Sequence, residues 1–308
     1  MNRVANYDTL DYNYQTYWLK REYENMAEHI LLARIMKNKG GKWFIDIGGS
    51  YGRLADIYYK KYKKPIIVDY SLKTLKKNYQ YLIQKYPDIT LIAANAYNLP
   101  FKQNTFDGAL MVRVLHHIEK PNQYFKEIYR TIKPNGKYIQ EFANKLHIKA
   151  VIRAILKLNF SIFTKDPYQQ PTQGNFEGAR KDSNVAFYNY HYLWVKDLLK
   201  KTGFRVVKRY GCSFLRIGFL KKMFSTKVLL LIENLLQKTL SWTNIAPSIF
   251  LDSTVIKEDG DMKEYNKLEE ILVCPACKSN LEFNSNTAYC KKCSKRFKKE
   301  GNIWDFRV

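Results

Sequence analysis

The sequence has no long hydrophobic run. No stretch approaches the roughly 18 uninterrupted apolar residues of a membrane span, and the best candidate, Val228–Leu236, is broken by Glu233. No transmembrane segment is therefore predicted. The N-terminal segment also lacks the apolar stretch of a secretory signal, which predicts a cytoplasmic protein. Apolar residues still make up 46% of the 308 residues, enough to bury a large domain and a smaller appendage.

Acidic residues are scarce relative to basic ones. The 28 Asp and Glu residues stand against 52 Lys and Arg residues, which gives a net charge of +24. The excess is spread along the chain, as a generally lysine-rich composition would produce, and this weakens the argument for a dedicated nucleic-acid surface. Such a charge still favours RNA, anionic lipid or acidic substrates. Nucleic acid and peripheral membrane contact therefore both stay open.

Cysteine is also rare, and its placement is informative. Four of the five cysteines form two CxxC pairs, Cys274 with Cys277 and Cys290 with Cys293, separated by 12 residues. This pattern is typical of four thiolates around a structural zinc ion in a ribbon. It indicates a reducing compartment rather than disulfides. Cys212 is left over, and we expect it to be a small core residue.

A glycine-rich turn follows the first predicted strand. The segment FIDIGGSYGRL, at positions 44–54, reads as an apolar strand, an acidic residue and a turn that opens a helix. The nicotinamide pattern GxGxxG fails here, because Ser50 and Arg53 replace its second and third glycines. The pattern that fits is an acidic residue, Asp46, placed two residues before Gly48, with Gly49 and Gly52 following.

Strand and helix patterns alternate through the first half of the chain. Predicted strands near 44–47, 66–68, 90–93, 108–112 and 137–142 are separated by predicted helices at 53–62, 72–85 and 122–132, after a helix at 16–38. This alternation predicts an α/β fold with a mainly parallel, doubly wound sheet. Residues 145–188 read as a helical and polar insertion over the ligand edge, and residues 214–240 as a basic amphipathic helical stretch. Residues 252–267 are charged and read as a linker.

Together these motifs resemble the class I S-adenosylmethionine-dependent methyltransferases, in particular their ubiquinone/menaquinone-type (type 11) branch. The glycine turn matches (D/E)xGxGxG except at Ser50. AANAYNLPF resembles the GDAxxLPF segment, FDGALMVRVLHHIEKP resembles FDxVxxxxxLHHxxDP, and KPNGKYIQE resembles KPGGxxxxx. The resemblance implies a Rossmann-like seven-stranded sheet in a domain of residues 1–251. It implies that S-adenosylmethionine is held by Asp46, Gly48, Gly49, Gly52, Asp69, Asn95, Ala96 and Arg113.

Among these residues, Asp69 has the most direct chemistry. It ends the second predicted strand, and one carboxylate can accept hydrogen bonds from both ribose hydroxyls. Asn95 stands where the family has an aspartate that contacts adenine, and its amide oxygen can accept the same hydrogen bond without charge. Ala96 would offer its backbone N–H to the ring. Arg113 would approach the cofactor or a substrate anion.

No catalytic residue can be named from the sequence. Methyl transfer from a sulfonium is an in-line displacement, and a general base is needed only when the nucleophile must lose a proton. His116, His117 and His191 are the candidates for such a base, but a histidine at these positions can equally be a structural hydrogen-bonding group.

The C-terminal residues 268–308 resemble the Trm112-like zinc-ribbon family. The segment LEEILVCPAC matches the family's (L)xxILxCPxC, and GNIWDF resembles its GIP-type ending with Asn302 inserted. Standalone members of that family resemble activators of tRNA, ribosomal RNA and protein methyltransferases. The fusion implies a ribbon that acts in cis as a stabiliser or a docking platform.

We therefore expect a methyltransferase that acts on a small-molecule or lipid-type acceptor. This expectation comes from the branch that the strand-four and strand-five segments resemble, together with the insertion and the amphipathic stretch. An RNA methyltransferase that docks tRNA or rRNA through the ribbon is the alternative. A scaffold that binds a partner without catalysis is the third.

Overall fold

The computed structural model describes residues 14–170, 187–258 and 263–308. Ten α-helices lie in these ranges. They are α1 Tyr14–Leu19, α2 Glu22–Ile35, α3 Ala55–Tyr58, α4 Leu72–Lys85, α5 Pro121–Thr131, α6 Ile148–Leu156, α7 Tyr192–Lys201, α8 Gly218–Met223, α9 Thr226–Thr239 and α10 Leu268–Ile271. Short 3₁₀ turns cover Leu115–His117 and Phe160–Phe163. In this part of the chain, none of the helices has the length and apolar character needed to cross a bilayer.

Thirteen strands lie in the same ranges. They are β1 Gly41–Ile47, β2 Tyr62–Asp69, β3 Thr90–Ala93, β4 Phe106–Met111, β5 Ile132–Ala143, β6 Tyr168–Gln169, β7 Tyr188–Asn189, β8 Phe204–Cys212, β9 Ser248–Val255, β10 Glu282–Phe283, β11 Thr287–Tyr289, β12 Arg296–Glu300 and β13 Ile303–Asp305. Strands β6 and β7 pair with each other, and the other eleven form one continuous sheet.

The large sheet has the order β10-β11-β12-β13-β3-β2-β1-β4-β5-β9-β8. Strands β3, β2, β1, β4 and β5 are mutually parallel, and β9 runs antiparallel to both β5 and β8. The seven strands from β3 to β8 are the predicted Rossmann-like, mainly parallel sheet, which is therefore confirmed. All the parallel strands end at one edge, and the turns that follow them lie side by side.

Helices cover both faces of the sheet. Alternate residues of each strand point to opposite faces, so each of the seven strands from β3 to β8 contributes to both cores. On one face Ile45 and Val68 pack under α5 and α7. On the other face Phe44 and Ile67 pack under α2, α3 and α4. This two-sided core is what makes the strands read as continuous apolar runs. Cys212 is fully buried in the second core, as we expected.

Several helix and strand limits differ from the sequence-based expectation. The predicted helix at 16–38 is broken at Lys20 and Arg21 into α1 and α2. The predicted helix at 53–62 keeps only the short α3, because β2 already begins at Tyr62. The turn residues at 133–136 form a bulge inside β5, where Asn135 has a φ of +59°.

The predicted linker 252–267 begins too early. Strand β9 continues to Val255 and lies between β5 and β8 in the sheet, so residues 252–255 belong to the first domain rather than ending it at 251. The polar residues of this strand are buried, and Asp252 accepts a hydrogen bond from Lys39 Nζ at 2.8 Å. Of the remaining linker positions, 259–262 lie outside the described residues.

The predicted insertion and the predicted helical stretch each contain more than one element. The insertion at 145–188 contains α6, the second 3₁₀ turn, β6 and the start of β7, and its positions 171–186 lie outside the described residues. The stretch at 214–240 is two helices, α8 and α9, divided at Phe224 and Ser225. Ser225 begins α9 by accepting a hydrogen bond from the N–H of Val228 through its hydroxyl, as expected for a helix N-cap.

Candidate methyltransferase site and metal centre

The glycine turn after β1 needs glycine at its two ends. Gly48 and Gly52 have φ values of +72° and +73°, a left-handed conformation that side chains disfavour. A Cβ atom on Gly48 would lie 2.3 Å from Val114 Cγ2, and one on Gly52 would lie 2.4 Å from Leu82 Cδ2. The turn is therefore packed against the segment after β4 and against α4. Gly49 lies between the two, directly above Asp46.

Asp69 holds this turn in place from the end of β2. Its Oδ2 accepts a hydrogen bond from the backbone N–H of Ser50 at 3.0 Å, and its Oδ1 accepts one from the N–H of Ser71 at 2.9 Å. The structure thus brings Asp69 to the glycine turn, as the sequence predicted. Its role towards a ribose stays a prediction.

Ser50 is the residue that departs from the glycine pattern. It has a φ of +50°, and in the described part of the chain its Oγ is buried without a hydrogen-bond partner. A buried hydroxyl that lacks a partner is costly. The hydroxyl lies in the turn that would carry the cofactor, and a bound nucleoside with polar groups would give it a partner. The site therefore fits the group that the resemblance implies.

Asp46 lies under the turn and is almost fully buried. Burial raises the pKa of its carboxyl to about 7, although the hydrogen bond from Tyr58 Oη at 3.0 Å and the charge of Arg53 act in the opposite direction. Asp46 is therefore a carboxyl that gains or loses its proton near neutral pH. Sequence reasoning did not identify Tyr58 as its partner.

Asn95 and Ala96 follow β3 at the same edge of the sheet. Asn95 is buried, and its Oδ1 accepts a hydrogen bond from the N–H of Tyr97 at 3.0 Å. This bond fixes the turn that would face the adenine ring. Contact of Asn95 and Ala96 with the cofactor stays a prediction.

Arg113 belongs to a buried charge network that the sequence did not reveal. Its Nε donates to Glu28 Oε1 at 2.8 Å, and Arg53 Nη2 donates to Glu28 Oε2 at 2.7 Å. Glu28 is fully buried in α2; burial would raise its pKa, but the two guanidinium charges hold it below the usual value. The backbone N–H of Arg113 also donates to Glu141 at 2.8 Å. Arg113 thus ties α2 to the ends of β4 and β5.

Glu28 carried one signal that could have identified it. It stands among Ala27, Leu31, Leu32 and Ile35, which form the buried face of α2, and a carboxylate on such a face requires a cationic partner. The sequence does not show which arginine supplies that partner, because both lie far along the chain.

The histidine candidates occupy two different settings. His116 is buried and stacks on Phe187 with ring centroids 4.2 Å apart, and His117 lies beside it. Burial and the neighbouring His117 hold the pKa of His116 well below its usual value, so it is neutral at physiological pH. His191 instead begins α7, where its Nδ1 accepts a hydrogen bond from the N–H of Leu193 at 3.1 Å. His191 therefore has a structural role in the described structure.

The four CxxC cysteines converge in the ribbon. Their Sγ atoms all lie within 4.8 Å of one another, with separations of 3.4, 3.5 and 3.7 Å for Cys277–Cys290, Cys274–Cys293 and Cys277–Cys293. A tetrahedral ion with bonds of about 2.3 Å requires sulfur separations of about 3.8 Å. Lys278 and Ser294, which directly follow the two CxxC pairs, have φ values of +60° and +57°. This repeated turn and the all-sulfur donor set fit zinc.

The ribbon is built into the edge of the sheet next to the predicted adenine site. Strand β13 pairs in parallel with β3, with Trp304 opposite Ile92 and Asp305 opposite Ala93. On the other side of the predicted adenine turn, the N–H of Val273 donates to Pro100 O at 2.9 Å. The ribbon therefore contacts both ends of the segment 93–102, which contains Asn95 and Ala96.

One ion pair joins the ribbon to α5. Lys278 Nζ donates to Glu127 Oε1 at 2.7 Å and to Leu99 O at 3.0 Å. Lys278 directly follows Cys277 in sequence. This contact therefore joins the first CxxC turn of the ribbon to the methyltransferase core.

The glycine turn, the carboxylates at the strand ends and the sheet order are those of a Rossmann-like methyltransferase fold. Residues 45–140 match the family model described as a methyltransferase domain. The cofactor of this class is S-adenosylmethionine, and the four-cysteine cluster is compatible with a zinc ribbon.

Three known proteins are similar to this chain. An uncharacterized protein of Methanocaldococcus jannaschii is 28% identical, over 67% of this chain and 78% of that protein. Demethylmenaquinone methyltransferase of Paenarthrobacter aurescens is 31% identical, over 37% of this chain and 44% of that enzyme, so the match spans less than half of it. The solved complex between the Haloferax volcanii Trm112 methyltransferase activator and the putative methyltransferase contains a chain with the same fold, with a TM-score of 0.53 and 13% identity, covering 80% of this chain and 95% of that one.

Proposed function

We propose that this methyltransferase acts on a small, partly apolar acceptor of lipid type. The observation that carries the proposal is the composition of one edge of the sheet. This edge, formed by His116, Tyr190 and the start of α6, is called the acceptor edge. His116 stacks on Phe187 there, Tyr190 donates to Leu115 O at 3.1 Å, and the exposed apolar residues of α6 follow the end of β5. An edge with this aromatic and apolar content suits an apolar ring or chain. The partial match to a demethylmenaquinone methyltransferase supports the same class of acceptor.

The cofactor would be held by the glycine turn and the two strand-end carboxylates. S-adenosylmethionine supplies a methyl group on a positively charged sulfur. Asp69 would accept hydrogen bonds from the ribose hydroxyls. It would keep its hydrogen bond from the N–H of Ser50, which holds the turn. Gly48 and Gly49 allow backbone to approach the ligand. Asn95 and Ala96 would face the adenine ring.

His116 would accept a proton from the acceptor if the nucleophile is a hydroxyl. Its low pKa leaves a lone pair available at neutral pH, although the same low pKa makes it a weak base. His117 would serve the same role from the adjacent position. His191 is a poor candidate, because its Nδ1 caps α7.

The acceptor class can be tested with labelled S-adenosylmethionine. The zinc-loaded protein is incubated with lipid, RNA and small-metabolite fractions, and methyl label is followed into each. We expect label in the organic-extractable fraction, with none when Asp69→Ala protein replaces the native protein. Label confined to RNA would contradict the proposed acceptor and leave the methyltransferase activity intact.

For the ribbon we propose a Trm112-like role in cis, as a stabiliser of the adenine side of the site. The support is the contact of the ribbon with both ends of the segment 93–102. In this arrangement a separate activator chain is replaced by residues 268–308 of the same polypeptide.

RNA methylation stays as the second candidate because of the ribbon's charge. Exposed basic residues lie within and just after its second CxxC pair, namely Lys291, Lys292, Lys295, Arg296 and Lys298. A filter-binding titration of tRNA against salt separates the candidates, since phosphate contacts weaken steeply as salt rises. Binding that persists near physiological salt would favour RNA.

The scaffold hypothesis makes the opposite prediction for the cofactor. A vestigial fold would not bind S-adenosylmethionine. Calorimetry on zinc-loaded protein therefore decides, and saturable binding that Asp69→Ala removes would exclude the scaffold.

A further inference from the structure

Helix α9 buries two polar side chains, Glu233 and Gln237, and exposes four large apolar ones. The buried Glu233 accepts hydrogen bonds from the hydroxyl of Tyr23 in α2 and from the N–H of Ser213. The buried Gln237 donates to Ala27 O at 3.0 Å. On the outside lie Val228, Leu231, Ile232 and Leu235, and Leu231 is 72% exposed. The spacing of these four residues places them on one stripe of the helix.

Two further helices, α6 and α8, also expose apolar side chains. Exposed apolar residues at helical spacing on α6 are Ile148, Ile152, Ile155 and Leu156. On α8, Phe219 and Met223 are also exposed. After α9, Trp242 is 73% exposed, whereas the other four tryptophans are buried or half-buried. We refer to the exposed apolar residues of α6, α8 and α9, together with Trp242, as the apolar face.

Hydrogen bonds link the start of α6 to the segments that flank α8 and α9. Lys149 of α6 donates through Nζ to Arg216 O, just before α8, at 2.8 Å. The N–H of Ile148 donates to Ile245 O, just after Trp242, at 3.0 Å. The beginning of α6 therefore contacts both the segment before α8 and the segment after α9. Isolated exposed apolar residues are normal on proteins, but this many large ones at helical spacing on helices linked in this way indicate an interaction surface.

The exposed charged side chains of α6, α8 and α9 are all basic, although Glu22 of α2 accepts a hydrogen bond from the hydroxyl of Thr226 at the start of α9. Helices α6 and α8 contain no Asp or Glu, and the single carboxylate of α9 is the buried Glu233. The exposed basic residues on these helices and at the end of α6 are Lys149, Arg153, Lys157, Lys222, Lys227 and Lys238. An occupant of this surface must therefore offer both apolar groups and negative charge.

This charge pattern decides between two occupants. A second copy of the chain would bring these lysines and arginines against their own counterparts, which is unfavourable. The surface of a bilayer with anionic lipid offers negative headgroups around an apolar interior. Helices with exposed apolar stripes and flanking Lys or Arg lie in that interface.

We propose that the apolar face binds the surface of a bilayer that contains anionic lipid. Helix α6 follows β5 directly, so the same binding places the acceptor edge of the sheet next to the membrane. The benefit for a lipid acceptor rests on the proposed function, but the binding itself is measured without methyl transfer.

Vesicle flotation with the full-length, zinc-loaded protein tests this proposal. We expect the protein to float with vesicles of phosphatidylcholine and phosphatidylglycerol, and to float much less with phosphatidylcholine alone. The double variant Leu231→Ser/Leu235→Ser should bind the anionic vesicles at least about tenfold more weakly, because two exposed leucines no longer enter the interface. Both positions are exposed, so the fold should persist, and unchanged S-adenosylmethionine binding would confirm that it does.

The matched control is Val207→Ser/Ile256→Ser. These residues are 60% and 47% exposed and lie towards the opposite edge of the sheet, near the start of β8 and after the end of β9. This variant should float like the native protein. Equal loss in the two double variants would overturn the proposal, because the effect would then be one of general hydrophobicity.

Trp242 supplies an independent measurement. Its fluorescence should shift to shorter wavelength when anionic vesicles are added, and Trp242→Phe should abolish the shift while the protein still floats. Reversal of charge at Lys222, Lys227 and Lys238 to Glu should remove the preference for phosphatidylglycerol, whereas reversal at Lys295 and Lys298 of the ribbon should not.

Three further results would overturn the proposal. The native protein could fail to float with either vesicle, or Leu231→Ser/Leu235→Ser could bind vesicles as tightly as the native protein. Sedimentation equilibrium could instead show that the native protein is a dimer and this variant a monomer, which would assign the apolar face to a second copy of the chain.

Discussion

Asp69 accepts a hydrogen bond at 3.0 Å from the backbone N–H of Ser50. The carboxylate at the end of β2 therefore shapes the turn that follows β1, in addition to any contact it makes with a ribose. A second bond, from the N–H of Ser71, fixes the same carboxylate to the start of α4. Loss of this carboxylate should affect both the turn and the ligand.

Asp69→Ala should weaken S-adenosylmethionine binding by at least about a hundredfold, because hydrogen bonds to a charged group contribute about 1.5–3 kcal/mol each. Isothermal calorimetry measures the affinity. Asp88→Ala is the matched control, since Asp88 contacts the hydroxyl of Tyr59 at the surface. Native-like affinity in Asp69→Ala would show that the carboxylate does not contact the cofactor.

Two substitutions at Ser50 separate the effect of its hydroxyl on cofactor binding from the effect of its backbone strain on stability. Ser50→Ala and Ser50→Gly both remove the Oγ that lacks a partner, and each should bind S-adenosylmethionine about fivefold more weakly. Only glycine relieves the left-handed φ of +50°, so Ser50→Gly should be more stable than Ser50→Ala by about 1 kcal/mol. Calorimetry and urea denaturation measure the two effects. Native affinity in both variants would remove the hydroxyl from the cofactor site.

The parts of the site that could be predicted from the sequence are local ones. Asp46, Gly48 and Gly52 lie in one short segment, and their spacing alone indicates a strand, a turn and a helix. The alternation of strands and helices and the limits of α4 follow from equally local periodicity. These features depend on neighbours in sequence, which a pattern can show.

The parts that could not be predicted depend on distant partners. Residues 252–255 read as polar linker, but Asp252 is paired with Lys39 inside the sheet, and the sequence does not show that pairing. The contact of the ribbon with β3 has the same origin, since any edge strand could have accepted β13. The amphipathic pattern of residues 214–240 did not show which side of α9 would be buried, because the sequence does not reveal that Tyr23 hydrogen-bonds to Glu233.

Glu28→Gln should destabilise the protein by roughly 3–5 kcal/mol, because Arg53 and Arg113 would lose a buried countercharge. The pKa of Glu28 is lowered in the folded state, so its stabilising contribution is present above the usual carboxyl pKa and is lost as the pH falls. Urea denaturation measures the change. Glu300→Gln, which removes a half-exposed pair with Lys76, should change stability by less than about 1 kcal/mol. Equal destabilisation by Glu28→Gln and Glu300→Gln would show that burial of the Glu28 carboxylate does not matter.

Removal of zinc should weaken S-adenosylmethionine binding, because the ribbon contacts both ends of the segment that carries Asn95 and Ala96. A reduction of about 5- to 150-fold corresponds to typical coupling between two sites. The Cys290→Ser variant should lose zinc, measured by metal analysis, and should lose affinity to a similar extent. Cys212→Ala should retain one zinc per chain and native affinity, since Cys212 lies in the other core. Metal-free protein with native affinity would limit the ribbon to a docking role.

Asp46 should make the stability depend on pH in the direction opposite to Glu28. Its folded pKa is about 7, raised by burial from an ordinary value of 3.8. Between these values the folded protein keeps a proton that the unfolded chain has released, so the contribution of Asp46 to the free energy of unfolding falls as the pH rises. The slope is on the order of 1 kcal/mol per pH unit.

Asp46→Asn isolates this effect, because the amide keeps an acceptor for Tyr58 but cannot ionise. We expect the variant to gain stability relative to the native protein as the pH rises from about 5 to about 7, measured by urea denaturation at each pH. The other carboxyl groups titrate equally in both proteins, so the difference reports Asp46 alone. A difference that stays constant with pH would show that the pKa of Asp46 is the same in the folded and unfolded protein.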